Sequence, residues 1–172
     1  MKTIYLFIIV AIGLSITSCK HTDVKQKQLE SIRILEKDLY SSQILDREKG
    51  LHMIDTYVNY SKQYPEDTIS ADFLFKASEI AMNLKLGSQA IFYYDKILSN
   101  YSDFYKAPEC LFLKAFVYEN QLNDLQNAKK YYNLFLVQYP KHALAKDAKA
   151  SLKYLGKSPE ELVKMFEQNN KQ

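Results

Sequence analysis

Apolar residues recur at helical spacing along most of this chain. In the first such stretch Leu29, Ile32, Leu35 and Leu39 lie three or four positions apart, which places them on one face of a helix. The chain has only four Gly and four Pro, so few tight turns interrupt the pattern. Strict alternation of apolar and polar residues, which is typical of strands, is almost absent. The pattern predicts an all-α chain, with helices at about 26–40, 46–63, 69–85, 88–101, 106–122, 125–139, 143–155 and 159–169.

An internal repeat underlies this pattern. A shift of 38 positions lays residues 73–77 onto 111–115 and residues 90–94 onto 128–132. Three predicted helices end in a similar triplet with Tyr before Pro or Ser: Gln63-Tyr64-Pro65, Asn100-Tyr101-Ser102 and Gln138-Tyr139-Pro140. Pro lacks a backbone N–H and disfavours the helical conformation in the residue before it, so it ends a helix. The sequence therefore predicts repeated pairs of helices.

The small and aromatic residues of each copy resemble the tetratricopeptide repeat (TPR), a pair of antiparallel helices in about 34 residues. Ala90 and Ala128 take the small position of its second helix, and Tyr94 and Tyr132 follow four residues later. The repeat here is three or four residues longer and lacks the Trp and Leu-Gly of the family's first helix. This longer form is similar to the repeats of the outer-membrane barrel-assembly lipoprotein and of the Tol-Pal coordinator protein. The resemblance implies a TPR-like right-handed α-solenoid of about three antiparallel helix pairs and a C-terminal capping helix.

Helix geometry predicts the burial of neighbouring tyrosines in the second helices of the repeats. Two adjacent side chains on one helix cannot both face the core. We therefore expect Tyr94 and Tyr132 to be packed, and Tyr93 and Tyr131 to be partly exposed.

The last predicted helix has a clear start. Ser158 is placed to cap it, Pro159 suits its first position, and Glu161 lies where a capping box requires an acidic residue.

The N-terminal residues resemble the export signal of a bacterial lipoprotein. Lys2 supplies a basic start, and the apolar stretch at 4–16 is shorter than the roughly 20 residues of a membrane-spanning helix. Residues 16–19, Ile-Thr-Ser-Cys, are similar to the lipobox of lipoprotein signal peptidase. The resemblance implies cleavage before Cys19, a covalent lipid on Cys19, and anchoring in the cell envelope, with the outer membrane facing the periplasm as the expected site. An ordinary secretory signal that leaves Cys19 as a free thiol is the alternative.

These features divide the chain into three parts. Residues 1–18 form the cleaved signal peptide, and residues 19–26 form the lipidated N-terminus with a polar, aperiodic tether. Residues 27–170 form the helical-repeat domain. A region of this length and apolar content can build a core of its own.

Charge and cysteine content narrow the classes of function. The formal net charge of +3 falls to +2 once Lys2 leaves with the signal peptide, which is not the basic excess that nucleic-acid binding needs. Cys110 is the only other cysteine, and it has no disulfide partner if Cys19 is acylated. Its apolar neighbours predict a buried side chain.

No residues have the spacing of a catalytic or metal site. His21, His52 and His142 are far apart in the sequence. Glu160 and Glu161 are adjacent on a helix and so point in different directions, and capping accounts for them. Neither a Gly-rich phosphate loop nor a Gly-x-Ser-x-Gly motif occurs. We expect no enzyme activity, no metal and no cofactor or small-molecule substrate, apart from the covalent lipid on Cys19.

A series of lysines near the C-terminus is one candidate for surface binding: Lys146, Lys149, Lys153 and Lys157. Their helical spacing predicts a basic stripe that could face phospholipid headgroups or an acidic partner. A solvated helix face is the plain alternative.

The 106–122 helix supplies the other candidate surface. Phe112, Phe116 and Glu119 lie on one side of this helix and are the expected contacts for a partner, because helical repeats present an extended groove. The alternative is that the two phenylalanines pack against the next helix.

Together these features predict a non-enzymatic, lipid-anchored adaptor or scaffold that binds a protein or peptide partner in the bacterial cell envelope. The alternative is a structural subunit of an envelope complex, such as one that assembles outer-membrane proteins. Such a subunit would have a large obligate interface.

We predict that Cys19→Ala abolishes membrane association and leaves the helical domain folded, because only the polar tether joins the two. Lipid labelling, membrane fractionation and circular dichroism of the variant test this. Retention of unlabelled Cys19→Ala protein in the membrane at high salt would show that another segment anchors the chain.

Overall fold

The structure of the protein is a computed structural model that describes residues 24–169. Its secondary structure within this range is helical, with no strand. The predicted signal peptide, Cys19 and the predicted tether up to residue 23 lie outside the described residues, and residues 24–26 already belong to the first helix. The chain divides into two compact units, with the boundary between Lys49 and Gly50.

The first unit contains helix α1, at residues 24–39, and the start of α2. Ile32 and Leu39, two of the periodic apolar residues of α1, are buried. An exposed ion pair joins Lys49 to Asp38 at 2.8 Å. Asp46 accepts a hydrogen bond from the backbone N–H of Lys49 at 2.9 Å and so caps the start of α2.

The second unit continues the series of helices. The full bounds are α2 at Arg47–Gln63, α3 at Thr68–Asn83, α4 at Gly87–Asn100, α5 at Ala107–Asn120, α6 at Leu125–Gln138, α7 at Ala145–Tyr154 and α8 at Pro159–Asn169. Each bound lies within two residues of the predicted one, and the all-α prediction is confirmed. From α3 to α7 each helix packs against the next. Helix α2 packs on α3, where the rings of Tyr57 and Phe73 stack with centroids 4.9 Å apart.

The three Tyr-containing helix ends share one hydrogen-bond pattern. Each Tyr N–H donates to the carbonyl oxygen four residues earlier, at 2.7–2.9 Å; the donors are Tyr64, Tyr101 and Tyr139. Three residues later a second N–H donates back to each Tyr carbonyl; these donors are Asp67, Phe104 and His142. The sequence repeat is therefore also a repeat of backbone geometry.

The turns inside the helix pairs repeat as well. Lys85 lies between α3 and α4, and Asn123 lies 38 positions later between α5 and α6. Both adopt the left-handed backbone conformation, with φ of 60° and 51°. This conformation is disfavoured for residues other than Gly, although Asn tolerates it better than most. The two turns thus carry the same local strain at equivalent places.

Small residues lie where the helices approach each other. Ala77, Ala90, Ala115 and Ala128 have no exposed surface, and neither have Tyr94 and Tyr132. The predicted packing of these two tyrosines is confirmed. Because a methyl group is the whole side chain at each alanine, neighbouring backbones can come close, and the tyrosines fill the space beside them.

The prediction for Tyr93 is wrong, whereas Tyr131 is partly exposed as expected. Tyr93 is buried, and its neighbour Phe92 is the exposed aromatic, with 53% of its surface accessible. Helix α4 has neighbours on more than one side. Tyr93 lies close to α2, where burial and then the charge of Asp55 raise the pKa of its hydroxyl.

The predicted capping box of α8 is confirmed. The N–H of Ser158 donates to Glu161 Oε2 at 2.8 Å, and the N–H of Glu161 donates to Ser158 Oγ at 3.2 Å. Two backbone donors at the helix start are satisfied by this exchange.

We predict that Ala128→Leu lowers the free energy of unfolding by about 1–3 kcal/mol, because the larger side chain is forced between packed helices. Ala90→Leu should behave in the same way. The matched control is Lys129→Leu, which places the same leucine at the exposed adjacent position. It should change the free energy of unfolding by less than about 0.5 kcal/mol. Denaturant unfolding measures all three, and equal midpoints for Ala128→Leu and the natural protein would contradict the repeat register.

Candidate partner-binding surface

Helix α5 carries the three residues that the sequence proposes for partner contact. Phe112 is partly buried, and its ring lies edge-on to Tyr132 and Phe135 of α6, with centroids 5.5 and 5.7 Å away. It packs against the core formed by α5, α6 and α7. Phe112 therefore belongs mainly to the packing beneath the candidate surface, and little of its ring is left for contact with a partner.

Phe116 is the exposed member of the set, with 38% of its surface accessible. It lies one turn beyond Phe112 on the same side of α5. The equivalent residue 38 positions earlier is Ser78 on α3, which has no exposed surface. The second copy of the repeat thus places a large exposed ring where the first copy buries a small side chain.

Glu119 is partly buried and forms a hydrogen bond with a core residue. Its Oε2 accepts a hydrogen bond at 2.7 Å from the hydroxyl of Tyr132, a residue with no exposed surface. Burial raises the pKa of the Tyr132 hydroxyl, and Glu119 raises it further, although the hydroxyl of Ser151 on α7 acts in the opposite direction. Glu119 thus holds Tyr132 in place, and Phe116 is the most accessible of the three residues.

Behind this surface, a buried cation joins three helices. Lys114 of α5 is 4% exposed, and its ammonium group forms an ion pair with Asp95 of α4. The same nitrogen lies 3.8 Å from the ring centroid of Tyr131 on α6. Tyr131 in turn stacks in parallel on Tyr118, with centroids 5.4 Å apart. Burial lowers the pKa of Lys114, but Asp95 and Tyr131 outweigh this and raise the pKa above its ordinary value.

The equivalent lysine in the preceding copy makes a weaker version of this contact. Lys76 lies 38 positions before Lys114, and Tyr57 lies 38 positions before Asp95. The Lys76 nitrogen lies 5.7 Å from the Tyr57 ring centroid. The position is thus cationic in both copies, and in both the nitrogen lies over an aromatic ring.

A cleft lies on the same unit, at the turns that precede α3 and α5. One cavity of the cleft, about 400 Å³, is lined by Asp72, Tyr101 and Tyr105 among others. The hydroxyl of Tyr101 donates to the carbonyl of Pro65 at 2.9 Å, and that of Tyr105 donates to Asp72 at 3.2 Å. Both tyrosines therefore tie one copy of the repeat to the next.

Side chains that could ligate a metal do not cluster within residues 24–169. No group of three or more His, Cys, Asp or Glu side chains in this range could hold a metal ion. Cys110 is a free, fully buried thiol, as the sequence predicts. Burial raises its pKa, which keeps the sulfur protonated and unreactive. None of the described helices is long and apolar enough to cross a membrane.

We predict that Asp95→Asn destabilises the protein by about 1–3 kcal/mol, because it leaves the Lys114 ammonium buried without its counter-charge. Lys114→Met should cost less, since it fills the same space and leaves the half-exposed Asp95 carboxylate in contact with water. Asp103→Asn, which removes an exposed carboxylate, is the control. Denaturant unfolding ranks the three, and a larger loss for Lys114→Met than for Asp95→Asn would contradict the role given to the pair.

Comparison with known proteins does not identify a function for this chain. No protein-family model matches the sequence, and no curated protein matches it significantly. The role of the surface around Phe116 is therefore argued from the residues described above.

Proposed function

We propose that this chain is a non-enzymatic, lipid-anchored adaptor of the bacterial cell envelope, which binds a protein partner on a TPR-like right-handed solenoid. Three observations support the solenoid: the 38-residue repeat, the shared hydrogen bonds of its turns, and the alanines buried between its helices. The lipoprotein-like N-terminus supports an anchor at Cys19, with the outer membrane facing the periplasm as the proposed site.

The exposed ring of Phe116 is the observation that carries the binding role. A side chain of this size loses much apolar area to a partner, and aromatic residues supply a large share of the energy in protein interfaces. The position equivalent to Phe116 is closed in the preceding copy, where Ser78 is buried. The exposed ring thus marks the last turn of α5 as the place where another chain would complete the packing.

The surroundings of Phe116 suit a fixed contact surface. Phe112 is wedged against Tyr132 and Phe135, and Glu119 fixes Tyr132 from the same side of α5. A surface that is rigid before binding loses little conformational entropy when a partner arrives. We therefore assign direct contact to Phe116, and a supporting role to Phe112 and Glu119.

We predict that Phe116→Ala weakens partner binding by about 2 kcal/mol or more, which is about thirtyfold in affinity, because it removes an interface anchor. The partner is first obtained by crosslinking in the native envelope and mass spectrometry. Its affinity for each purified variant is then measured by calorimetry. Phe92→Ala is the matched control, since Phe92 is also an exposed phenylalanine but lies on α4.

Stability measurements separate packing from binding. Phe116→Ala should cost little stability, whereas Phe112→Ala should cost about 3 kcal/mol because its ring is packed on the core. Equal affinity for Phe116→Ala and the natural protein would refute the proposed surface, as would equal losses for Phe116→Ala and Phe92→Ala.

A further inference from the structure

Helix α7 presents lysines on one exposed side and apolar residues on the side that faces the core. Lys146, Lys149 and Lys153 are exposed, and Lys157 is exposed just beyond the helix end. About 100° around the helix from the lysines, Ala145 and Ala148 are buried in the core shared with α5 and α6, and Leu152 packs against it. The packing of α7 therefore fixes the direction of the lysines. We call Lys146, Lys149 and Lys153 the lysine face.

The charges of the lysine face are not neutralised within residues 24–169. None of the three lysines forms an ion pair with any described residue. The one acidic residue of α7 is Asp147. It lies about 100° around the helix from Lys146 and so points away from the lysine face. The Lys153 nitrogen lies 5.3 Å from the centroid of the Tyr154 ring, a contact that does not cancel its charge, so all three ammonium groups can still meet an external anion.

The lysine face belongs to a basic end of the chain. Residues 50–124 contain 6 Lys or Arg and 10 Asp or Glu, which gives a formal charge of −4. Residues 125–172 contain 9 Lys and 4 Asp or Glu, which gives +5. The small net charge of the whole chain therefore conceals two regions of opposite sign, and an anionic surface is attracted to the C-terminal one.

We propose that the lysine face docks on the anionic headgroups of a phospholipid membrane. This proposal rests on the proposed lipid anchor, which would hold the domain next to such a surface. Each lysine close to an anionic membrane strengthens binding by a factor of about five, so three lysines contribute about a hundredfold. That is too weak for stable anchoring alone, but it suffices to orient a domain that a lipid already tethers.

The composition of the lysine face favours a membrane over an acidic protein. The exposed residues of α7 are the three lysines, Asp147 and Ala150, so its exposed surface offers no large apolar side chain as an interface anchor. The cavities around Tyr101, which could receive a side chain of a protein partner, are lined by residues between positions 58 and 105, and none of these residues belongs to α7. A charged face without an apolar anchor suits the phosphate groups of a membrane surface, because binding to them does not require a matching shape.

The experiment measures how accessible the lysines are on vesicles of two compositions. The lipidated full chain is bound to vesicles of phosphatidylcholine, or to vesicles in which about a third of the lipid is phosphatidylglycerol. An amine-acylating reagent is added, and mass spectrometry quantifies labelling at each lysine. Exposed Lys37, Lys62 and Lys85 are the internal controls.

We expect labelling of the lysine face to fall about tenfold on the anionic vesicles, and to recover at about 0.5 M salt, where surface charges are screened. The control lysines should label equally on both vesicles. Equal labelling of the lysine face on both vesicles would overturn the proposal, and so would protection that persists at high salt.

Matched variants add a second readout. Replacement of Lys146, Lys149 and Lys153 by Gln should abolish the salt-sensitive part of binding to anionic vesicles, whereas Gln at the three control lysines, with the same change in charge, should preserve it. Equal effects of the two triple variants would overturn the proposal. Sedimentation with pure phosphatidylcholine vesicles reports the lipid anchor alone, so failure of the anchor is distinguished from failure of the lysine face.

Discussion

Close contact between helices at buried alanines is the constraint on which the rest of the structure depends. Ala77, Ala90, Ala115 and Ala128 have no exposed surface and recur in pairs 38 positions apart. Because each contributes only a methyl group, the neighbouring helices approach closely and the adjoining tyrosines fill the remaining space. The contact fixes the rotation of each helix, and so decides which side chains reach the surface.

The candidate surface follows from this rotation. With Ala115 turned inward, Lys114 reaches Asp95 on one neighbour and Tyr131 on the other. Phe116 then lies on the accessible side of α5. The ion pair and the exposed ring are thus consequences of one helix orientation, although they serve different purposes. Lys114 joins helices within the domain, and Phe116 is the proposed contact with another chain.

The local sequence pattern, which includes helical periodicity, the internal repeat and its resemblance to the TPR, revealed the helices and the small positions. It placed Ala90, Ala128, Tyr94 and Tyr132 correctly, and it found the start of α8 from Ser158 and Glu161. It failed where burial depends on how many neighbours a helix has. Tyr93 is buried although it is adjacent to the packed Tyr94, and the charge of Asp55 on α2 acts on its hydroxyl.

The ion pair of Lys114 was missed for a related reason. A lysine within a helical pattern is normally predicted to be exposed. Its partner Asp95 lies on another helix, and spacing along the sequence does not show which residues of two helices meet. The Lys-Ala pair shared by positions 76–77 and 114–115 was the available signal. The roles of Phe112, Phe116 and Glu119 could not be separated by periodicity either, since all three share one side of α5. Cys19 and the lipid anchor stay predictions from the sequence.

The central claim is that a partner binds at Phe116 on α5. The most direct test is to measure by photo-crosslinking whether a partner lies next to this position in the living cell. A photo-crosslinking amino acid is placed at position 116, and in a parallel strain at position 92, which is a similarly exposed phenylalanine on α4. The account predicts a discrete crosslinked protein from position 116 and none from position 92. The same adduct from both positions, or adducts from position 92 alone, would contradict it.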